Sequence, residues 1–368
     1  LNHLAGFRLT DYQAHHITDF MQKPLEYNRL QAQTLATMWQ VVSQNKAPLV
    51  AFLKRKAALM GKQQLAWYDT WAPVVVGDFK PTAYTYDEAA AFIIQHFKTF
   101  SPKMAAVAQT AFEKQWIEAE DRPGKQPGGY MTELPETEDF RIFMTFDGTP
   151  SGVSTLAHEL GHGFHTMMLN GLPSWRQDYA MNVAETASTL AELIVVDATV
   201  QTATSQAAKI NLLDQKITNA IDMFMNIHAR YLFEQRFYTE RQKGFVPTAQ
   251  LTAIMLAAQK EAYADALTAY DPLFWADKQH FFFDDVPFYN FPYTFGYLFS
   301  LGIYAKAQTT PNFEEQYIAL LQDTANMTTE ALAQKHLGVD LTQPEFWQAA
   351  ADSIQKDIDQ FLTLTADV

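Results

Sequence analysis

Apolar residues recur at three- and four-residue intervals over most of this chain. Residues 30–60, 87–119, 205–242, 247–268, 313–335 and 344–364 all carry that period, which predicts amphipathic helices. Glycine and proline mark breaks between periodic stretches, as at Pro123-Gly124. One segment departs from the helical period. Gly129 to Thr132, a polar turn through Pro135 to Asp139, and Arg141 to Phe146 read as a β-hairpin. A loop from Asp147 to Gly152 follows. Val153, Leu156, Ala157, Leu160, Phe164, Met167 and Met168 then restore helical spacing, with Ser154 as the expected N-cap and Gly171 and Pro173 as the expected stop. The pattern predicts a mostly α fold with a small β-hairpin or sheet. No internal repeat, low-complexity tract or long linker interrupts it.

Composition narrows the class. Hydrophobic residues make up 48% of the 368 and charged residues 18%, so a large globular core is expected. The net charge of -14, with its acids scattered, argues against a nucleic-acid partner, which would need a basic stripe. With no cysteine, any bound metal must use histidine and carboxylate ligands. That composition is compatible with a reducing compartment, and a cytoplasmic location is expected. No apolar run is long enough to predict a membrane span. Leu1 to Arg8 lacks the charged and apolar regions of a signal peptide.

The candidate chemistry begins at His158-Glu159-Leu160-Gly161-His162, an H-E-x-x-H pentapeptide. On a helix the two imidazoles lie about 40° apart and can grip one zinc ion, with Glu159 beside it to take a proton from a bound water. A buried helix whose histidines bond to carbonyls is the competing reading. A catalytic zinc needs a third protein ligand and an open position. Asn182 to Glu192 is strongly apolar yet carries Glu185 and Glu192 one heptad apart, and buried carboxylates need partners. Glu185 is read as the third ligand. Ser188 and Glu192 are candidates to orient a ligand, Glu192 being otherwise a solvent-facing residue; His165 is a competing ligand candidate, and otherwise an ordinary helix residue or a supporting group. Gly161 and Gly163 each cost about 1 kcal/mol in a helix interior. Each therefore suggests another element, or a substrate, packed close.

Residues 274–304 concentrate aromatic side chains, most of them expected in the core. Pro292 suits a first helical turn, which puts Tyr293 and Tyr297 on one face. Tyr289 precedes them, and His280 lies upstream. Phenol and imidazole groups are the neutral donors that a developing oxyanion needs, so all four are candidate substrate contacts.

Several stretches share a family pattern. They are Leu4 to Arg8, Ile117 to Lys125, Arg141 to Phe146, Leu156 to His165, Ala180 to Thr189, Pro287 to Tyr293, and Gly338 to Leu341. On these the chain resembles the oligoendopeptidase F branch of the thimet oligopeptidase family of zinc metallopeptidases, nearly end to end. The resemblance implies one zinc per chain at His158, His162 and Glu185, with Glu159 as general base and acid. It implies substrate contacts at His280, Tyr289 and Tyr293, and at Tyr297 where the branch spacing allows. It implies a zincin-type helical catalytic domain over 1–368 lining a deep channel, with the zinc-site core in 128–200 and the substrate-contact segment in 274–304. The implied activity is endopeptidase cleavage of short oligopeptides. A zinc carboxypeptidase or dipeptidase, and a catalytically impaired peptide-binding protein of the same fold, are the alternatives. Members of this branch usually carry a helical N-terminal region before the equivalent of Leu1. Its absence here implies a missing stretch of channel wall.

Overall fold

The structure, a computed structural model, describes residues 1–77, 83–126 and 128–368. These residues form helices along most of their length and one three-stranded sheet. They gather into two compact units, each assembled from separated stretches of chain. The first comprises Leu1–Val76, Leu213–Phe295 and Leu341–Val368, and the second Gly77–Leu212 and Gly296–Asp340.

The first unit is helical. The 30–60 periodicity resolves into two helices, Ala32–Gln44 and Lys46–Leu59, parted at Asn45. The helix Glu345–Thr365 packs on both. Phe52 meets Phe361 edge-on, with ring centroids 4.9 Å apart. Lys56 is fully buried there, and Asp214 neutralises it at 2.9 Å while Thr218 accepts a hydrogen bond at 3.0 Å. A buried ion pair of this kind needs such extra partners to offset its desolvation. The periodic stretch 205–242 also divides. A π-helical turn, Asp222–Asn226, separates the helix ending at Ile221 from the helix Ile227–Arg241.

The second unit holds the hairpin and the H-E-x-x-H motif. The expected helix over 87–119 is two helices and a strand. Tyr86–Phe100 is capped by a reciprocal Thr85–Glu88 box. Ser101 then caps Pro102–Glu113. Pro102 explains the break, because a proline disfavours helical backbone at the residue before it. Gln115 turns the chain with a φ of 55°, and Ile117–Glu118 forms strand β1. Strands β2 (Gly129–Leu134) and β3 (Asp139–Met144) form the predicted hairpin.

The strand order is β1-β3-β2. β1 runs parallel to β3 through Ile117 opposite Ile142, and β2 runs antiparallel with Gly129 opposite Met144. β3 alternates as a half-covered strand should: Phe140, Ile142 and Met144 are buried, while Asp139, Arg141 and Phe143 are half-buried. The sequence reading ran this strand on to Phe146, but it ends at Met144 and both its edges are already paired. Among the described residues the outer edges belong to β1, two residues long, and to β2, six residues long. Both β2 and β3 pack on the helix Pro150–Leu169, here called the histidine helix.

Candidate metal and catalytic site

The histidine helix starts five residues earlier than the expected cap suggests. Thr149, not Ser154, is the N-cap, accepting a hydrogen bond from the Gly152 N–H at 3.0 Å. Pro150 takes the first turn, where its missing N–H costs nothing. Ser154 lies within the helix, and its hydroxyl donates to Glu192 at 3.2 Å.

Both helix glycines are explained by neighbouring elements. A Cβ on Gly161 would lie 2.5 Å from the Ala187 carbonyl oxygen and 2.6 Å from the Ser188 Cα. Both atoms belong to the helix Met181–Gln201, the glutamate helix. A Cβ on Gly163 would run into the Phe140 ring of β3. So one glycine admits the glutamate helix and the other admits the sheet. A third, Gly296, does the same at Glu185, where a Cβ would stand 3.0 Å from the Glu185 Cβ. Nearby, the Ser300 hydroxyl lies 3.3 Å from both the Glu185 and Thr186 carbonyl oxygens.

Close approach of the two helices brings His158, His162 and Glu185 to one point. Their candidate ligand atoms all lie within 4.8 Å of one another. One carboxylate oxygen, Glu185 Oε2, is 3.2 Å from His158 Nε2 and 3.5 Å from His162 Nε2. Ligands about 2.0–2.1 Å from a shared ion at tetrahedral angles stand about 3.3 Å apart, so this donor set fits a divalent cation. The outer groups fit as well. Glu192 Oε2 is 3.2 Å from His158 Nδ1, which leaves Nε2 as the ligand nitrogen. Ser188 donates to Glu185 Oε2 at 2.8 Å.

The electrostatics suit a cation. Burial alone would raise the Glu185 carboxyl, but hydrogen bonds with His158 and His162 hold it well below the usual carboxylate range. Burial likewise opposes a charge on His158, yet Glu185 and Glu192 carry it well above the usual imidazole range. Glu159 lies outside the candidate ligand set. Its carboxyl is raised by burial, with His158, His162 and the Met131 backbone N–H pulling the other way. Gly129 keeps the space beside it clear, since a Cβ there would stand 3.3 Å from Glu159 Oε1. Sequence reasoning missed this contact from β2. The signal was a glycine at the start of an otherwise β-prone strand.

His165 is outside the cluster. It is fully buried, stacked on Tyr179 at 4.2 Å, with Nε2 3.0 Å from the Thr324 hydroxyl. A cavity of about 790 Å³ in the same unit, lined in part by His96, Asp197, Tyr304 and Glu315, contains none of the three ligand residues.

His280, Tyr289 and Tyr293 form a second constellation, in the first unit. Tyr293 Oη lies 3.3 Å from His280 Nε2. The His280 ring is 5.7 Å from that of Tyr289, and the two tyrosine rings are 5.9 Å apart. Burial first, then Arg230 and Lys278, push the His280 pKa down to about 4. Tyr297 is four residues past Tyr293 on the helix Phe291–Ala307 and is 4% exposed.

A helix presenting H-E-x-x-H, a second helix bringing a carboxylate to the same point, and a small sheet on the motif helix define a mostly helical fold with a candidate metal site. The chain belongs to peptidase family M3, whose family model matches residues 83–352. It is 24% identical over 345 residues to the group B oligopeptidase PepB of Streptococcus agalactiae, covering 92% of this chain and 56% of that protein. An oligoendopeptidase F homolog of Lactococcus lactis is 21% identical over 345 residues, again 92% of this chain and 56% of the relative. The chain thus spans little more than half the length of these curated relatives. Among solved structures, a protein from Chlamydophila abortus superposes with a TM-score of 0.85 at 20% identity, over 99% of this chain and 60% of that one. Oligoendopeptidase-F from Enterococcus faecium superposes with a TM-score of 0.68 at 18% identity, over 100% of this chain and 60% of that one. Among the described residues no helix is long and apolar enough to cross a membrane.

Proposed function

We propose that this chain carries the catalytic centre of a zinc-dependent endopeptidase acting on short oligopeptides. The observation that supports it most is the convergence of His158 Nε2 and His162 Nε2 on one oxygen of Glu185. Zinc held by His158, His162 and Glu185 would supply Lewis acidity towards a carbonyl and a water.

The protein's own groups supply the rest. Glu192 holds the proton on His158 Nδ1, and Ser188 fixes the Glu185 oxygen it touches. Glu159 takes a proton from the attacking water and returns it to the leaving amine. The upward push of burial on its carboxyl suits that double duty, because it makes the carboxylate a stronger base. His280, Tyr289 and Tyr293 donate to the oxyanion or to substrate backbone, as the family pattern assigns. With its pKa pushed down to about 4, His280 does so as a neutral imidazole near pH 7. Tyr297 joins the set by its spacing from Tyr293. The outer edge of β2 takes the peptide as an added strand. The absence of cysteine suits a cytoplasmic site of action.

The test is Glu159→Gln. Metal analysis should give one zinc per chain in both proteins, and mass spectrometry of a peptide digest should show cleavage by the parent only, lost with chelator. Internal cleavage by the variant at parental rate would sink the mechanism. Release of single terminal residues would instead point to a carboxypeptidase.

A further inference from the structure

Seven residues of the first unit, Phe288 to Thr294, carry two of the candidate donor tyrosines, and three separate features fix this segment. The first lies at its start. Phe288 is a bulky residue with a φ of 55°, in the left-handed region that such residues rarely adopt. It is 2% exposed, stacked on Phe20 at 5.8 Å and tilted against Tyr238 at 5.1 Å. Strained backbone of this kind persists only where the surroundings over-determine it.

The second feature is Asn290, next to Tyr289 and fully buried. Its amide bridges two buried ionisable side chains, Arg230 and Glu234, and burial pushes the Glu234 carboxyl up to about 8. Arg230 donates to Asn290 Oδ1 at 3.4 Å, and Asn290 Nδ2 donates to Glu234 Oε2 at 2.9 Å. Arg230 in turn donates to Asn226 Oδ1 at 2.8 Å, which ties the bridge to the π-helical turn. The third is Thr294, next to Tyr293 and also fully buried. A π-turn inside an α-helix is rare and recurs at functional sites. The Thr294 hydroxyl donates to a carbonyl within this turn, that of Met223, at 2.6 Å. Buried ionisable groups and a π-turn are costly ways to hold a plain aromatic core. Here they meet beside the two phenols.

We propose that Asn290 and Thr294 are positioning residues that fix the phenols of Tyr289 and Tyr293 through the Arg230–Glu234 bridge and the π-turn carbonyl of Met223. The inference rests on the reading of those tyrosines as substrate donors.

The experiment uses the full chain labelled with 3-fluorotyrosine, its Tyr293 signal assigned through Tyr293→Phe. Thr294→Val keeps the shape and removes the hydroxyl, and Thr294→Ser restores it. The expected result is a shifted or broadened Tyr293 fluorine signal in Thr294→Val and a parental one in Thr294→Ser. Peptide hydrolysis should show kcat down at least about tenfold in Thr294→Val with KM within about twofold. The double variant with Tyr293→Phe should be about as slow as Tyr293→Phe alone, because both changes remove one interaction. An unchanged fluorine signal in folded Thr294→Val overturns the proposal, as does a rate penalty that adds fully to that of Tyr293→Phe. A moved signal with unaltered turnover in both single variants leaves the positioning intact and refutes the donor reading of Tyr293. Should Thr294→Val not fold, Asn290→Leu, near in size and without either hydrogen bond, is read through the Tyr289 signal, assigned through Tyr289→Phe, by the same criteria.

Discussion

His165 lies three residues beyond His162 on the same helix, and the two do different work. His162 points at Glu185, 3.5 Å away, whereas His165 is sealed in the core against Tyr179 and Thr324. Burial, then the neighbouring His162, push the His165 pKa down from 6.5 to about 3. Below pH 6.5 the unfolded chain therefore takes up a proton at this residue that the folded chain refuses. Each pH unit in that window removes about 1.4 kcal/mol of stability. His165→Asn lacks the effect. The stability lead of the parent over His165→Asn, measured by urea unfolding, should shrink by about that amount per unit between pH 6.5 and 5. A lead that stays constant over this range would show that His165 is protonated in the folded protein. The sequence could not separate the two histidines by role, because i and i+3 fall on nearly the same helix face as i and i+4. What separates them is the partner opposite each: a carboxylate for one, a hydroxyl and a tyrosine ring for the other.

Elements were legible where periodicity alone decides them, and obscure where a single residue does. The helices Thr248–Ala262 and Glu345–Thr365 follow their apolar period closely. The break at Ser101 does not show in that period, since apolar spacing runs straight through the proline that enforces it. The two-residue strand β1 hides at the end of the same run, because its β character comes from pairing with β3 and not from its own pattern. The π-turn at Asp222–Asn226 likewise has no period to betray it. Glycine was the better guide. Gly161 and Gly163 announced close neighbours in the sequence, and the glutamate helix and Phe140 are those neighbours. Gly161→Ala should gain helix propensity worth about 1 kcal/mol and still destabilise the protein, because overpacking at this contact costs about 1–3 kcal/mol. It should also weaken zinc binding by pushing Glu185 off its histidines. A variant with parental thermal stability and parental zinc affinity would mean that the two helices are free to part.

At the scale of the whole molecule, the ligand set is discontinuous. His158 and His162 come from one helix and Glu185 from the next, and contacts with β3 and with the chain around Gly296 brace them. An ion that binds only the folded arrangement stabilises it by mass action. Zinc at about 100 times its dissociation constant should add about 2.7 kcal/mol, raising the melting temperature, and a chelator should reverse the shift. No change in melting with zinc or chelator would argue that the three residues do not form a metal site.

The glycines that admit those neighbours have a consequence for assembly. A stretch with Gly161 and Gly163 two residues apart is a poor helix in isolation, and nucleation is unfavourable for any short segment. In the newly made chain His158 and His162 therefore have no lasting common orientation until the glutamate helix and the Phe140 ring close on them. The proposed zinc would therefore bind a site already assembled, and protein refolded in chelator should regain full activity on the later addition of zinc alone.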